Sequence, residues 1–119
     1  MKRPSADHPI SIGATDKRVT VTFNGETIAE TRAALVLEET TLPPVYYVPA
    51  ADVRMDLLER TDRCTHCPYK GDACYYSVAV GGRRAENAAW SYEEPYPAVA
   101  EIMGRLAFYA DKVRITVEG

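Results

Sequence analysis

The sequence predicts one small, mainly β domain (a β-rich α+β fold) with a mostly antiparallel sheet and about two short helices. The dipeptides Asn24-Gly25 and Gly81-Gly82 each separate two alternating segments, which is typical of hairpins. The strand-like segments follow one another directly instead of alternating with helices, which favours antiparallel pairing. The chain has 119 residues, of which 46% are apolar. A chain of this length and apolar content can form a single core but is too short for two ordinary domains.

The N-terminal segment, residues 1–17, differs in composition from the rest of the chain. It is polar and contains two prolines, so we expect a flexible arm followed by a single domain over residues 18–119. Residues 18–23 alternate with β-branched side chains and lead through Asn24-Gly25 into residues 26–30, which predicts the first hairpin. Two further short strands are predicted, at residues 34–37 and 45–48.

The second half of the chain is expected to contain a second hairpin, two short helices and a closing strand. Residues 49–60 are expected to form a short helix because Val53, Leu57 and Leu58 fall at helical spacing, and residues 61–71 are expected to be a loop. A second hairpin, residues 73–90, turns at Gly81-Gly82. A helix opened by Pro95 and Pro97 and a closing strand at residues 113–117 complete the prediction.

The charge balance excludes several classes of partner. Fourteen basic against seventeen acidic side chains give 14 − 17 = −3, so the chain lacks the basic surface that nucleic-acid binding requires. No apolar run reaches the roughly 18 residues of a membrane span, and no apolar stretch follows Lys2 and Arg3 to act as a secretion signal. We therefore expect a cytoplasmic protein with no nucleic acid and no membrane as partner.

The three cysteines form the most suggestive local pattern. Cys64, His66 and Cys67, with Cys74 further on, have the residue types of a zinc site, and Cys64-Cys67 has the spacing of a redox pair. However, His66 lies between Cys64 and Cys67 in the sequence, so its ring is poorly placed to bind the same metal ion as both thiolates. Ordinary small or surface thiols are therefore the favoured interpretation, and no cofactor is expected.

Lys70 and the tyrosines suggest a ligand pocket. Lys70 lies between Tyr69 and Gly71, where a sharp turn could direct its ammonium group at a phosphate or carboxylate; a solvated turn lysine is the alternative. All eight tyrosines and the single tryptophan come after residue 45. Such aromatic side chains beside carboxylates are typical both of a half-polar pocket wall and of a tyrosine-rich core. No motif of a hydrolase triad or a dinucleotide site is present.

Several consecutive motifs resemble those of one family, the domain of unknown function 427 family. Thr22-Phe23-Asn24-Gly25, Cys67-Pro68-Tyr69-Lys70-Gly71 and Ala89-Trp90-Ser91-Tyr92 carry the resemblance, which covers about residues 8–118. It implies a small barrel-like domain of Mss4-like topology. The nucleotidyltransferase label sometimes given to the family finds no support here, because the chain has neither a Gly-Ser dipeptide nor an Asp-x-Asp pair to hold phosphate and Mg²⁺.

The sequence departs from the family pattern at the cysteines. Cys64 and Cys74 stand where similar sequences more often have Thr or Ser, so a zinc site built from all three cysteines is not what the family shares.

The resemblance also marks the candidate site residues. Our leading hypothesis is a pocket that binds a small anionic or carbonyl-containing molecule. The protein is expected to be a monomer or a small homo-oligomer. Whether it catalyses a reaction is left open. The first alternative is a structural or protein-interaction domain with a buried Lys/Glu/Asp network, and the second is a zinc-binding module on the cysteine segment. The candidate residues are Glu39, Tyr47, Asp52, Lys70, Tyr75, Trp90 and Tyr92.

Overall fold

The computed structural model describes residues 1–119 and contains ten β-strands in three antiparallel sheets. The first sheet has the order β1-β4-β5, the second β10-β2-β3, and the third β6-β7-β8-β9. The prediction of a mainly β, antiparallel fold is confirmed. The strands are β1 (Ile10–Ala14), β2 (Arg18–Phe23), β3 (Glu26–Thr31), β4 (Leu35–Glu39), β5 (Val45–Tyr47), β6 (Leu58–Cys67), β7 (Gly71–Val80), β8 (Arg83–Tyr92), β9 (Ala107–Phe108) and β10 (Arg114–Glu118).

Both predicted hairpin turns are present. Asn24 and Gly25 have φ angles of 50° and 79°, and Gly81 and Gly82 have 57° and 80°, the left-handed values that a two-residue turn requires. The Asn24 side chain also donates a hydrogen bond of 3.0 Å to the carbonyl oxygen of Val80. The two turns are thus joined at one end of the molecule.

The sheets do not close into a barrel, so the structure supports the antiparallel sheets of the barrel-like domain expected from the family resemblance but not closure. After β3 the chain leaves its sheet, and β4 pairs with β1 instead of continuing the β2-β3 hairpin. An isolated bridge between Val48 and Leu106 extends from β5 toward β9, and a second one pairs Ala29 of β3 with Val53, which lies outside the strands. The Mss4-like topology stays a prediction.

The predicted helix over residues 49–60 was also wrong. Two single-turn 3-10 helices, Ala50–Asp52 and Met55–Leu57, replace it, and β6 begins at Leu58. Val53 has an extended backbone, with φ −113° and ψ 137°, because it pairs with Ala29 of β3. Tertiary pairing therefore overrides the helical spacing of the apolar side chains.

The predicted loop over residues 61–71 is largely strand β6, which ends at Cys67. Its pairing with β7 shifts register between Arg60 and Cys64, so a bulge interrupts the period of two. The second predicted helix is reduced to a 3-10 segment, Pro97–Ile102, with a non-helical backbone at Val99. The chain leaves that segment through Gly104, whose φ is 72°.

The prediction of an arm over residues 1–17 did not include strand β1. Ile10 to Ala14 pair with β4 in register, with Ile12 opposite Leu37. Closer to the terminus, the backbone N–H of Lys2 donates a hydrogen bond of 2.7 Å to the Pro68 carbonyl oxygen.

The buried side chains form two apolar clusters. The larger cluster contains mainly aliphatic side chains of β2, β3, β7 and β8. The smaller one contains three buried tyrosines, Tyr47, Tyr75 and Tyr92, and is the part of the core that bears on the candidate site. None of the helices has the length and apolar composition that a membrane crossing requires.

Candidate functional site

Lys70 is the centre of a buried ion-pair network. The residue is 8% exposed, and its Nζ lies 2.5 Å from Oε1 of Glu39, at the end of β4. The second carboxylate oxygen of Glu39 lies 2.6 Å from Nε2 of His8. Because a carboxylate only accepts hydrogen bonds, His8 presents an N–H to it. Both oxygens of Glu39 are therefore satisfied within the protein.

The backbone around Lys70 fixes this geometry. Gly71 has a φ of 109°, and a Cβ at this position would lie 3.4 Å from the carbonyl oxygen of Glu94, so the close turn favours glycine. The Lys70 carbonyl oxygen accepts a hydrogen bond from the N–H of Tyr96. The ring of His8 stacks on Tyr69 with centroids 3.7 Å apart. The turn at residues 68–70, between β6 and β7, and the N-terminal segment together cover the Lys70–Glu39 ion pair.

The network holds Glu39 ionised. Burial raises the pKa of Glu39, but the hydrogen bonds and charges of Lys70 and His8 outweigh it, and the pKa of the carboxyl falls below its ordinary value. Lys70 and His8 thus contact both oxygens and occupy two of the roughly four acceptor sites of the carboxylate.

Asp52, expected beside Lys70, lies in a different part of the molecule. Its carboxylate accepts a hydrogen bond of 2.7 Å from the Thr31 hydroxyl and lines a surface cleft with Arg54 and residues of β3. The structure thus brings Glu39 to Lys70 and leaves Asp52 apart.

Tyr47 and Tyr92 belong to the core, and Trp90 packs against it. The Trp90 indole N–H donates a hydrogen bond of 3.3 Å to the hydroxyl of Tyr47, and the two rings meet edge to face. Burial raises the pKa of Tyr47 and of Tyr92, so both hydroxyls stay protonated. None of the five principal surface cavities is lined by Lys70 or Glu39, or by these three aromatic side chains.

Tyr75 is the one expected site residue that lines a cavity containing paired aromatic and basic side chains. This cavity, here called the tyrosine cleft, has a volume of about 270 Å³. Tyr75 and Tyr109 stack with nearly parallel rings, 10° apart, and the Tyr109 hydroxyl donates a hydrogen bond of 3.4 Å to that of Tyr75. The lining residues are Arg63, Tyr75, Asn87, Tyr109, Asp111 and Lys112.

Two cations flank the tyrosines. The Arg63 guanidinium lies 5.0 Å from the centre of the Tyr75 ring, and the Lys112 ammonium lies 5.9 Å from that of Tyr109. Neither cation has a carboxylate within ion-pair distance. Lys112 is directed by a hydrogen bond of 2.7 Å from its ammonium to the carbonyl oxygen of Glu86.

The two tyrosine hydroxyls have opposite pKa shifts. Burial raises the pKa of Tyr75, but hydrogen bonds with Thr65 and Tyr109 and the charge of Arg63 outweigh it and lower the pKa overall. Burial, together with its hydrogen bond to Tyr75, raises the pKa of Tyr109 to about 12. Arg63 therefore favours the ionised form of Tyr75, whereas Asp111 contributes to the raised pKa of Tyr109.

Two bulges give the cleft its shape. The bulge in β6 lies next to Arg63, and the β7-β8 pairing shifts register near Asn87, whose φ is 51°. The Thr61 hydroxyl donates a hydrogen bond of 2.6 Å to the Asn87 side-chain oxygen and joins the two bulges. Without these bulges, the Arg63 side chain would lie on the face of the sheet that the regular alternation of side chains along β6 assigns to it.

The four candidate metal ligands do not converge. Cys64 and Cys74 are directly opposite each other across the β6-β7 pair, with their sulfurs 3.1 Å apart. Cys67 is three residues beyond Cys64 on the same strand and therefore belongs to the other face of the sheet. His66 pairs instead with Asp72, at 2.7 Å. No group of three or more metal-ligating side chains is gathered anywhere in the chain.

Sequence reasoning missed Arg63, Tyr109 and Lys112. Arg63 was placed in a loop, and nothing in the sequence indicated that the segment around Lys112 returns to strand β6. Tyr109 is the exception, because it is one of the eight tyrosines after residue 45 that suggested a pocket wall or a tyrosine-rich core.

The comparisons with known proteins agree with the sequence motifs. No curated protein matches the chain. A family model described as domain of unknown function (DUF427) matches residues 11–119, which is nearly the whole chain and includes every strand of the tyrosine cleft. The chain belongs to the DUF427 family.

Proposed function

We propose that the protein binds a small molecule bearing a carboxylate or phosphate group in the tyrosine cleft. The observation that carries this proposal is the pair of cations, Arg63 and Lys112, on either side of two hydrogen-bonded tyrosine hydroxyls, with no carboxylate paired to either cation. Asp111 also lines the cleft but lies within ion-pair distance of neither cation, so an anionic ligand would supply the counter-charge that Arg63 and Lys112 lack.

The chemistry of the lining favours an oxyanion. The Arg63 guanidinium offers a fork of donors that matches two oxygens, Lys112 adds a point charge, and the phenol of Tyr75 adds a hydroxyl donor. The Tyr75 and Tyr109 rings supply an apolar surface for the rest of the ligand. The volume of about 270 Å³ limits the ligand to a small molecule.

The Lys70–Glu39–His8 network supports a different role. Lys70 is buried and both oxygens of Glu39 are occupied, which favours the structural interpretation of these residues over ligand contact. The Lys70 loop and the N-terminal segment are then held in place by the network. The cytoplasmic location and the monomer or small oligomer expected from the sequence stay predictions.

The binding proposal can be tested with inorganic phosphate and benzoate as probes, at constant ionic strength. A titration followed by ¹H–¹⁵N NMR should shift the backbone amides of Asn87 and Asp111 in a saturable way. Arg63→Gln or Lys112→Gln should each weaken binding by about 1.5–3 kcal/mol, the contribution of a charge-assisted hydrogen bond.

Arg83→Gln is the matched control, because Arg83 is exposed in β8 and forms no ion pair. This variant should bind both probes as the unmodified protein does. If all three variants bound the probes equally, or if neither probe shifted the cleft amides, the proposal would be rejected.

A further inference from the structure

Cys64 and Cys74 are positioned to react with each other. They occupy opposite positions of the antiparallel pair β6-β7, and their sulfurs are 3.1 Å apart. Opposite residues of such a pair have Cα atoms about 4.5 or 5.5 Å apart, within the range of about 4.4–6.8 Å that a disulfide spans. A small approach of the two sulfurs would bring them to bonding distance without a change of backbone pairing.

The surroundings leave the two thiols accessible to reagents. Cys64 is exposed and Cys74 is half-buried, so reagents in solution can reach the pair. The Arg60 guanidinium lies 3.2 Å from the Cys74 sulfur and places a positive charge beside the thiols. The thiolate is the reactive form of cysteine, and Arg60 stabilises it only in part, because Arg60 also pairs with Glu93 at 2.6 Å.

We propose that Cys64 and Cys74 form a reversible intramolecular disulfide when the protein encounters a peroxide. This inference concerns a modification site on the sheet surface and does not depend on anion binding in the tyrosine cleft. It also replaces the Cys64-Cys67 pair suggested by the sequence spacing, because Cys67 belongs to the opposite face of the sheet.

The two thiols take different parts in the reaction. The hydrogen bond with Cys64 and partial burial raise the pKa of Cys74 to about 11, so Cys74 is held as a thiol while the more exposed Cys64 meets the oxidant. The Cys64 thiolate attacks hydrogen peroxide and, with one proton, gives a sulfenic acid and water. The Cys74 sulfur then attacks the sulfenic sulfur, forming the S–S bond and releasing a second water. Overall, two thiols lose two electrons and two protons, and one peroxide is reduced to two waters.

The test is oxidation of the purified full chain with hydrogen peroxide, followed by thiol counting and non-reducing peptide mapping. The protein should lose two of its three free thiols, yield a single Cys64–Cys74 cross-linked peptide, remain monomeric on a non-reducing gel, and recover all thiols with dithiothreitol. Cys67→Ser is the matched control and should form the same cross-link.

The variant Cys74→Ser separates the two steps. Cys64 then lacks a resolving thiol, and its sulfenic acid should be trapped by dimedone about tenfold or more in excess of the unmodified protein, because the neighbouring thiol no longer competes. A Cys64–Cys67 cross-link, a disulfide between two chains, or oxidation of Cys64 beyond sulfenic acid while Cys74 remains free would each overturn the proposal.

Discussion

Replacement of Lys70 by methionine removes one charge from the centre of the buried network while keeping most of the aliphatic side chain. The Glu39 carboxylate is left with His8 as its only partner, at a position where its side chain is 12% exposed. Removing one member of a buried ion pair costs about 3–5 kcal/mol, because the remaining carboxylate stays buried without the lysine charge that compensated it. We expect Lys70→Met to reduce the free energy of unfolding by that amount at pH 7.

Urea unfolding followed by Trp90 fluorescence measures this loss, since the chain has a single tryptophan. With a slope of about 2 kcal/mol per M urea, the midpoint should fall by about 1.5–2.5 M. The double variant Lys70→Met with Glu39→Met should recover most of the loss, because it removes both charges from the buried site.

Lys17→Met is the control, since Lys17 is exposed and forms no ion pair, and it should change stability by less than about 0.5 kcal/mol. A loss of less than about 1 kcal/mol in Lys70→Met, with the double variant no more stable than the single one, would refute the structural interpretation. Lys70 would then be available for ligand contact, as the sequence first indicated.

Three further variants test other parts of the structure. In the folded protein the pKa of Glu39 lies below its ordinary value near 4.5. The contribution of the Glu39 carboxylate to stability is therefore complete above about pH 4.5 and is lost as the pH falls through the folded-state pKa. The urea midpoints of Glu39→Gln and of the unmodified protein should converge in acid. Trp90→Phe should cost about 1–3 kcal/mol by circular dichroism, because the Tyr47 hydroxyl, in a side chain 1% exposed, loses its donor. Gly71→Ala should lower the thermal midpoint, since alanine is strained at a φ of 109°; an unchanged midpoint would contradict the argument for that turn.

The parts of the fold that the sequence predicts well are those set by local chemistry. Asn24-Gly25 and Gly81-Gly82 adopt the positive φ angles that mark the hairpins, because few other residues tolerate them. Strand β6 was missed because its inward positions include Thr65 and Cys67 instead of large apolar residues, and because its bulge breaks the alternation.

The candidate site was predictable only in part. Glu39 and Lys70 meet as expected, but pairing alone does not tell a ligand-binding lysine from a structural one, and burial decides between them. Arg63 and Lys112 come together through the register of distant strands, which no local pattern encodes. The Cys-x-x-Cys spacing pointed to Cys67, whereas the β6-β7 register selects Cys74 as the neighbour of Cys64.

The bulge of β6 also bears on how molecules behave when they meet in concentrated solution. β6 is an edge strand, and an edge with free N–H and C=O groups is a template for a strand of another molecule. Here the edge is interrupted between Arg60 and Cys64, and Glu59, Arg60, Asp62 and Arg63 place charges along it. An incoming strand could not keep register past the bulge and would have to bring those charges out of water. The irregularity that directs Arg63 into the tyrosine cleft thus also protects the longest sheet from edge-to-edge aggregation.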